Sequence, residues 1–155
     1  MRSTYGRIGW RIRKVPERDD TVSNSIPVLV IEDDEIVQEA FKRSLKLYGF
    51  EAHQAMDGPT GVKLARTIKP AFILLDWMMP EMDGLEVLAE LKHTRKTRKI
   101  PVFMLTGKSM LGDVDQAFDL GADNYIIKPP DLTELGKIVK EKWEKFKSPA
   151  GARSS

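Results

Sequence analysis

Short apolar runs alternate with amphipathic stretches over most of this chain. The runs Val28–Ile31, Phe72–Leu75, Val102–Leu105 and Tyr125–Ile127 are almost continuously apolar, which is typical of parallel strands buried on both faces. The segment Phe50–Gln54 instead alternates apolar and polar residues, as a half-exposed edge strand does. The pattern therefore predicts five β-strands.

Apolar residues at helical spacing follow each of these runs. Asp34 is placed to cap the first helix and Pro59 to open the second. Gly49 and Gly121 are placed to end the first and the fourth. The positions that mark the helices are Ile36, Val37, Ala40, Phe41, Leu45 and Tyr48; Val62, Ala65 and Ile68; Leu85, Leu88 and Leu91; Leu111, Val114, Phe118 and Leu120; and Leu132, Leu135, Val139 and Phe146.

This alternation of strands and helices with short connections predicts an α/β fold. A five-stranded parallel sheet with helices on both faces, a three-layer α/β/α sandwich, buries every apolar run. Right-handed crossovers and the strand order 2-1-3-4-5 are expected.

The two ends of the chain depart from the pattern. Residues 1–26 carry six basic side chains and few apolar ones, and they predict a disordered extension. The alternative is a basic arm that docks on an acidic partner or a nucleic acid, with Trp10 as its anchor. Residues 27–147 form the single predicted domain, and residues 148–155 predict a disordered tail.

Composition narrows the classes of function. The chain has no cysteine, which excludes disulfides and thiol chemistry and favours the cytoplasm. Its formal net charge of +2 does not by itself indicate nucleic-acid binding. No apolar run approaches the ~20 residues of a membrane span, so no membrane-spanning segment is expected. The basic run Lys92–Lys99 is expected to be a solvated loop.

Chemically active side chains follow four of the predicted strands. These are Glu32 and Asp33 after the first, Asp76 after the third, Thr106 after the fourth and Lys128 after the fifth. In the order 2-1-3-4-5 these strand ends surround one crevice at the carboxyl edge of the sheet. Three neighbouring carboxylates repel one another, and Mg²⁺ removes that repulsion. A lysine and a hydroxyl at the same place suit the oxygens of a phosphoryl group.

Each of these groups alone has a plainer explanation. Glu32 at a helix start resembles a cap, Thr106 an ordinary strand end, and Lys128 a surface lysine. Complementary chemistry at all four strand ends favours a functional site instead.

Four motifs carry a resemblance to a known family. The segments IEDD (Ile31–Asp34), LLDWMMPEMDG (Leu74–Gly84), MLTG (Met104–Gly107) and YIIKPP (Tyr125–Pro130) resemble, in order and spacing, the receiver domain of two-component response regulators. The resemblance covers residues 27–147 and implies a flavodoxin-like fold, the fold of stand-alone chemotaxis receivers.

The resemblance also implies a role for each matching residue. Asp76 would accept a phosphoryl group, which Thr106 and Lys128 would contact. The implied Mg²⁺ ligands are Glu32, Asp33, Asp76 and the backbone carbonyl of Met78, and the implied switch residues are Thr106 and Tyr125.

The two prolines that follow Lys128 affect the backbone after the fifth strand. Pro130 stands where the family commonly has phenylalanine. Lys128–Pro129 is a candidate cis peptide, because cis bonds are largely confined to proline.

The expected function is that of a stand-alone response regulator. Only eight residues follow Lys147, so no nucleic-acid-binding domain is expected there. The implied partners are a sensor histidine kinase or histidine phosphotransfer protein, and a downstream protein that binds the surface of helix 4, strand 5 and helix 5. The protein is expected to be a monomer or a phosphorylation-dependent dimer. It is expected to catalyse only its own phosphorylation and dephosphorylation.

Other functions share parts of this residue set. A phosphorelay intermediate would pass the phosphoryl group on to a histidine phosphotransfer protein. A Mg²⁺-dependent aspartyl phosphatase would need a second aspartate at the position of Met78. A flavodoxin-like cofactor carrier would need a phosphate-binding loop after the first strand, where Glu32, Asp33 and Asp34 would repel a phosphate.

Overall fold

A parallel sheet forms the centre of the protein. The computed structural model describes residues 24–107 and 112–148. The strands are β1 (Ile26–Ile31), β2 (Phe50–Ala55), β3 (Phe72–Asp76), β4 (Val102–Thr106) and β5 (Asn124–Ile127). They lie in the order β2-β1-β3-β4-β5, and every neighbouring pair is parallel. The predicted fold class and strand order are therefore confirmed.

Helices connect the strands and cover the sheet. They are α1 (Glu35–Leu47), α2 (Gly58–Ile68), α3 (Gly84–His93), α4 (Val114–Asp119) and α5 (Leu135–Lys147), with a 3₁₀ helix at Leu132–Glu134. In the described ranges, no helix combines the length and apolar character needed to cross a bilayer.

The sheet divides the apolar core into two layers. Alternate residues of β1 and β3 point to opposite faces, as the period of a strand requires. Leu29 and Ile73 pack in one layer with α2 and α3, and Val30 and Leu74 pack in the other with α1 and α5. These four side chains are fully buried, so the central strands are covered on both faces.

Aspartates fix the helix starts at the carboxyl edge of the sheet. Asp34 caps α1, as predicted, and accepts hydrogen bonds from the amides of Ile36 (2.8 Å) and Val37 (3.1 Å). Asp57 caps α2. Asp83 and Glu86 form a capping box at the start of α3. The loops that leave β1, β2 and β3 therefore have defined ends next to the strand termini.

Ile36 does not join the core, contrary to the apolar pattern of α1. Its side chain is 80% exposed, whereas Gln38 is buried. Two residues apart on a helix lie on nearly opposite sides, so only one of them can face the sheet. Gln38 takes that place because its Nε2 donates to the carbonyls of Val30 (3.0 Å), Glu32 (3.1 Å) and Ala55 (2.9 Å).

Two other expectations were wrong. The described residues contain no cis peptide bond, so Lys128–Pro129 is trans, the form that an X–Pro bond still prefers by about 0.5–1 kcal/mol. The segment Lys92–Lys99 is also not wholly solvated. Lys92 belongs to the last turn of α3 and Thr97 is fully buried, because both bond to backbone groups of the protein.

Several expectations concern residues outside the described ranges. The predictions for residues 1–23, for residues 149–155 and for Leu111 are in this class. β1 begins at Ile26, one residue before the predicted start of the domain.

Candidate functional site

The carboxyl edge of the sheet brings the predicted site residues together. Glu32 directly follows β1, Asp76 is the last residue of β3 and Thr106 the last of β4. These three side chains are almost completely buried, with exposed fractions of 2%, 3% and 1%. Buried polar groups are costly unless they have partners, so their position indicates a built site.

Lys128 is the partner of both buried carboxylates. Its Nζ lies 3.0 Å from Glu32 Oε2 and 3.0 Å from Asp76 Oδ1. The backbone amide of Lys128 donates to the carbonyl of Thr106 (2.9 Å), which ties the end of β5 to the end of β4. One ammonium group therefore neutralises part of a two-carboxylate cluster.

Asp33 completes a cluster of three carboxylates. Oxygen atoms of Glu32, Asp33 and Asp76 all lie within 4.8 Å of one another, and Asp33 is exposed to solvent. A set of carboxylate oxygens open on one side fits Mg²⁺, a hard cation that prefers oxygen ligands and retains several waters, through which one of the three carboxylates can bind it. Glu32, Asp33 and Asp76 are the residues that would hold the ion.

Burial and charge shift the pKa values of two of these groups. Burial, together with the neighbouring charge of Asp76, raises the pKa of Glu32 from 4.5 to about 7, although Lys128 and the amide of Asp34 oppose this. Burial would lower the pKa of Lys128, but the charge of Asp76 and the bonds to both carboxylates outweigh it and raise that pKa. The lysine therefore stays charged beside the carboxylates.

Thr106 and Tyr125 lie one behind the other on neighbouring strands. The hydroxyl of Thr106 donates to the carbonyl of Gly107 (2.9 Å). Tyr125 is half-buried on β5, opposite Met104 of β4. Its ring makes an edge-on contact with Phe118, with 6.2 Å between centroids. The two predicted switch residues are therefore two positions apart in the register of the sheet.

The backbone after Asp76 is fixed by a close approach that the sequence pattern did not reveal. The amide of Trp77 donates to Leu105 (3.0 Å) and the amide of Gly84 to Trp77 (2.9 Å). A Cβ atom at Gly84 would lie less than 3 Å from backbone atoms of Asp76 and Trp77. Only glycine fits here, because any other residue would place its Cβ atom against this backbone.

Met78 lies in the loop between β3 and α3, which ends at Gly84. Its side chain is 65% exposed, and no hydrogen bond among the described residues uses its carbonyl. That carbonyl is available as an oxygen ligand two residues after Asp76.

A family comparison identifies this arrangement. The model described as "response regulator receiver domain" matches residues 28–140. The chain belongs to the response regulator receiver family. The resemblance seen in the four sequence motifs is thereby confirmed. Receiver domains act in two-component systems, where histidine kinases are their partners.

Curated relatives match the same part of the chain. This chain is 39% identical over 108 residues to the DNA-binding dual master transcriptional regulator RpaA of a Synechocystis strain, and the match covers 70% of this chain and 45% of RpaA. The chain spans about half the length of the curated relatives it matches.

Two solved structures share the fold. Chemotaxis protein CheY4 of Vibrio cholerae is 23% identical with a TM-score of 0.68, over 76% of this chain and 98% of that one. The receiver domain of sensor histidine kinase PA1611 from Pseudomonas aeruginosa is 26% identical with a TM-score of 0.65, over 76% of this chain and 96% of that one.

Sequence reasoning missed two residues that position the receiver site. Gln38 binds three carbonyls at the ends of β1 and β2 and so fixes the backbone that carries Glu32. Gly84 fixes the backbone that carries Asp76. For Gly84, the available signal was its position in the capping box, two residues before Glu86. For Gln38, no periodic pattern gives a signal.

Proposed function

We propose that this receiver accepts a phosphoryl group on Asp76 from a phosphohistidine of a partner protein, with Mg²⁺ bound at the three-carboxylate cluster. The observation that carries the proposal is the position of Lys128 Nζ, 3.0 Å from Asp76 Oδ1. A positive charge at the nucleophilic carboxylate is suited to a reaction that concentrates negative charge there.

The proposed reaction is an in-line displacement at phosphorus. A P–O bond to the Asp76 carboxylate forms while the P–N bond to the histidine breaks, and the imidazole leaves with the electron pair of that bond. Lys128 and Thr106 would then contact the phosphoryl oxygens. Such transfer depends mostly on positioning and charge neutralisation, both of which a buried, pre-formed site provides.

The metal would be held by Glu32, Asp33, Asp76 and the carbonyl of Met78. Bound there, Mg²⁺ supplies charge neutralisation for the phosphoryl oxygens. Support comes from the spacing of the carboxylates and from the related PA1611 receiver, which is described with a magnesium ion coordinated in its active site cleft.

The decisive variant is Asp76→Asn, because an amide is not a nucleophile for phosphorus. We expect acid-stable but base-labile label from acetyl phosphate or a histidine kinase to disappear in this variant, and EDTA to abolish the label in the unmodified protein. Asp115→Asn on α4, an exposed position that is not part of the three-carboxylate cluster, is the matched control and should label normally. Undiminished labelling of Asp76→Asn would refute the assignment.

Several finer features remain part of the proposal. Stand-alone action, relay to a histidine phosphotransfer protein and a location in the cytoplasm stay predictions, as does the absence of a separate enzymatic substrate. Since RpaA is named as DNA-binding and extends well beyond the matched region, regulation of a DNA-binding output is a second candidate. Phosphate transfer onward to a purified histidine phosphotransfer protein would favour relay over either kind of direct output.

A further inference from the structure

A run of basic residues joins α3 to β4 at the edge of the sheet opposite the candidate site. Residues 92–99, KHTRKTRK, contain five lysine or arginine residues and no acid. Arg95, Lys96, Arg98 and Lys99, here named the basic turn, are all exposed. None of them forms an ion pair with another described residue.

The basic turn is held in one shape by a buried threonine. Thr97 is fully buried, and its Oγ1 donates to the carbonyl of Leu91 (2.7 Å). The amides of Thr97 and Arg98 both donate to the carbonyl of Thr94, at 3.1 and 2.9 Å. The backbone between the exposed cations is therefore ordered before any ligand binds, which lowers the entropic cost of binding.

Lys92 attaches the turn to the rest of the fold. Its Nζ donates to the carbonyls of Ile100 (2.9 Å) and Arg98 (3.3 Å) and to the Asp123 carboxylate (3.0 Å). Asp123 also accepts from the amide of Val102 (2.9 Å), at the start of β4. The fifth cation of the run is thus neutralised, and the four others face solvent.

The neighbouring surface adds positive charge. The C-terminal end of α2, which packs against α3, carries Arg66 and Lys69, both exposed. Asp33, Asp57 and Glu81 lie at the other edge of the sheet. The exposed cations therefore favour the approach of an anion to the edge with the basic turn.

We propose that the basic turn binds the sugar–phosphate backbone of a nucleic acid without reading its sequence. The guanidinium groups of Arg95 and Arg98 match phosphate oxygens in pairs, and the two lysines add point charges. A bilayer surface fits less well because the turn exposes no large apolar side chain for insertion. This inference goes beyond the proposed function, since phosphoryl transfer at Asp76 uses none of these residues.

The test is the salt dependence of binding to a fluorescently labelled 20-base-pair DNA, measured by anisotropy with the full chain. Four phosphate contacts contribute a slope of about −3.6 in log K against log salt concentration, or roughly 150-fold between 50 and 200 mM salt. We expect the variant with Arg95, Lys96, Arg98 and Lys99 all changed to Gln to lose this amount of slope. The difference between variant and unmodified protein is the readout, so contacts made elsewhere on the chain cancel.

The matched control removes four exposed cations from α1 and α5, as Lys42→Gln, Arg43→Gln, Lys137→Gln and Lys140→Gln. It has the same net charge as the test variant and should keep the slope of the unmodified protein. Equal losses in both variants, no measurable binding, or tighter binding to phosphatidylserine vesicles than to DNA would each overturn the proposal. Urea denaturation midpoints close to that of the unmodified protein show that both variants are folded.

Discussion

Glu32 has neighbours that act on its proton in opposite directions. Burial and the Asp76 charge favour the protonated acid, whereas Lys128, 3.0 Å away, favours the carboxylate. Burial and the Asp76 charge have the larger effect, and they raise the pKa of Glu32 to about 7. In the folded protein without metal, Glu32 therefore binds a proton at pH values where an unfolded chain has released it.

This shift predicts a pH-dependent stability in EDTA. A raised folded-state pKa contributes stability that is complete below the ordinary value of 4.5 and is lost as pH rises through about 7. We expect the free energy of unfolding from urea titrations to fall by up to about 3 kcal/mol between pH 4.5 and pH 8. Mg²⁺ should reverse the trend above pH 7, because the cation binds the ionised form.

Glu32→Gln is the control for that measurement, since it has no proton to release. Its stability should lack this component of the pH dependence. Identical pH profiles for Glu32→Gln and the unmodified protein would show that Glu32 titrates normally.

At the scale of elements, the start of α3 is set directly against the end of β3. Gly84 makes this possible, because its hydrogen leaves room for the backbone of Asp76 and Trp77. The helix start, the loop with Met78 and the proposed phosphoacceptor are consequently held close together. Backbone atoms, unlike a flexible side chain, cannot make room for an added methyl group.

We expect Gly84→Ala to lower the free energy of unfolding by roughly 1–3 kcal/mol, the usual cost of overpacking. Labelling of Asp76 should slow more than stability alone explains, because α3 or the loop must shift away from the carboxylate. Gly112→Ala is the control, since a Cβ there meets nothing within 4 Å. Urea denaturation and labelling rates of the two variants provide the comparison, and equal effects would contradict this explanation.

At the scale of the whole molecule, the sequence predicted most of what positions the site. Continuous apolar runs identify buried parallel strands, and the order 2-1-3-4-5 places their carboxyl ends together, so Glu32, Asp76 and Lys128 were expected to meet. That expectation depends only on strand direction and order, which the pattern determines.

The pattern could not predict contacts that depend on the exact register between elements. Gln38 is polar in a helix whose apolar positions favoured Ile36, yet it is the residue turned inward, because its Nε2 reaches three backbone carbonyls at the ends of β1 and β2. Thr97 and Lys92 similarly looked like members of a solvated loop. Side-chain bonds to the backbone of another element have no periodic signature, so only the folded structure reveals them.

The effect of phosphorylation on a partner also depends on the whole molecule, because it would have to pass from the carboxylate cluster to the protein surface. Tyr125 is two positions from the level of Thr106, in contact with Phe118, and Lys142 Nζ lies 5.1 Å from the centre of its ring. Phe118 is 42% exposed, so this aromatic pair reaches the surface formed by α4, β5 and α5. A movement of Thr106 toward a phosphoryl group would free space behind it for the Tyr125 ring, and the surface would change.

We expect Mg²⁺ with beryllofluoride, an analogue of the acyl phosphate, to shift the amide NMR signals of Phe118, Tyr125 and Lys142 as well as those of the carboxylate cluster. Reversal of a 1:99 equilibrium needs about 5.5 kcal/mol of differential binding, which two or three charge-assisted bonds can supply.

Lys142→Met removes a cation–π contact of about 0.5–1 kcal/mol that holds the Tyr125 ring in its present place, so the shifts should appear at a lower saturation of the site. Lys140→Met, on the same helix without that contact, should behave as the unmodified protein. Shifts confined to the cluster in all three proteins would mean that Tyr125 does not transmit the signal.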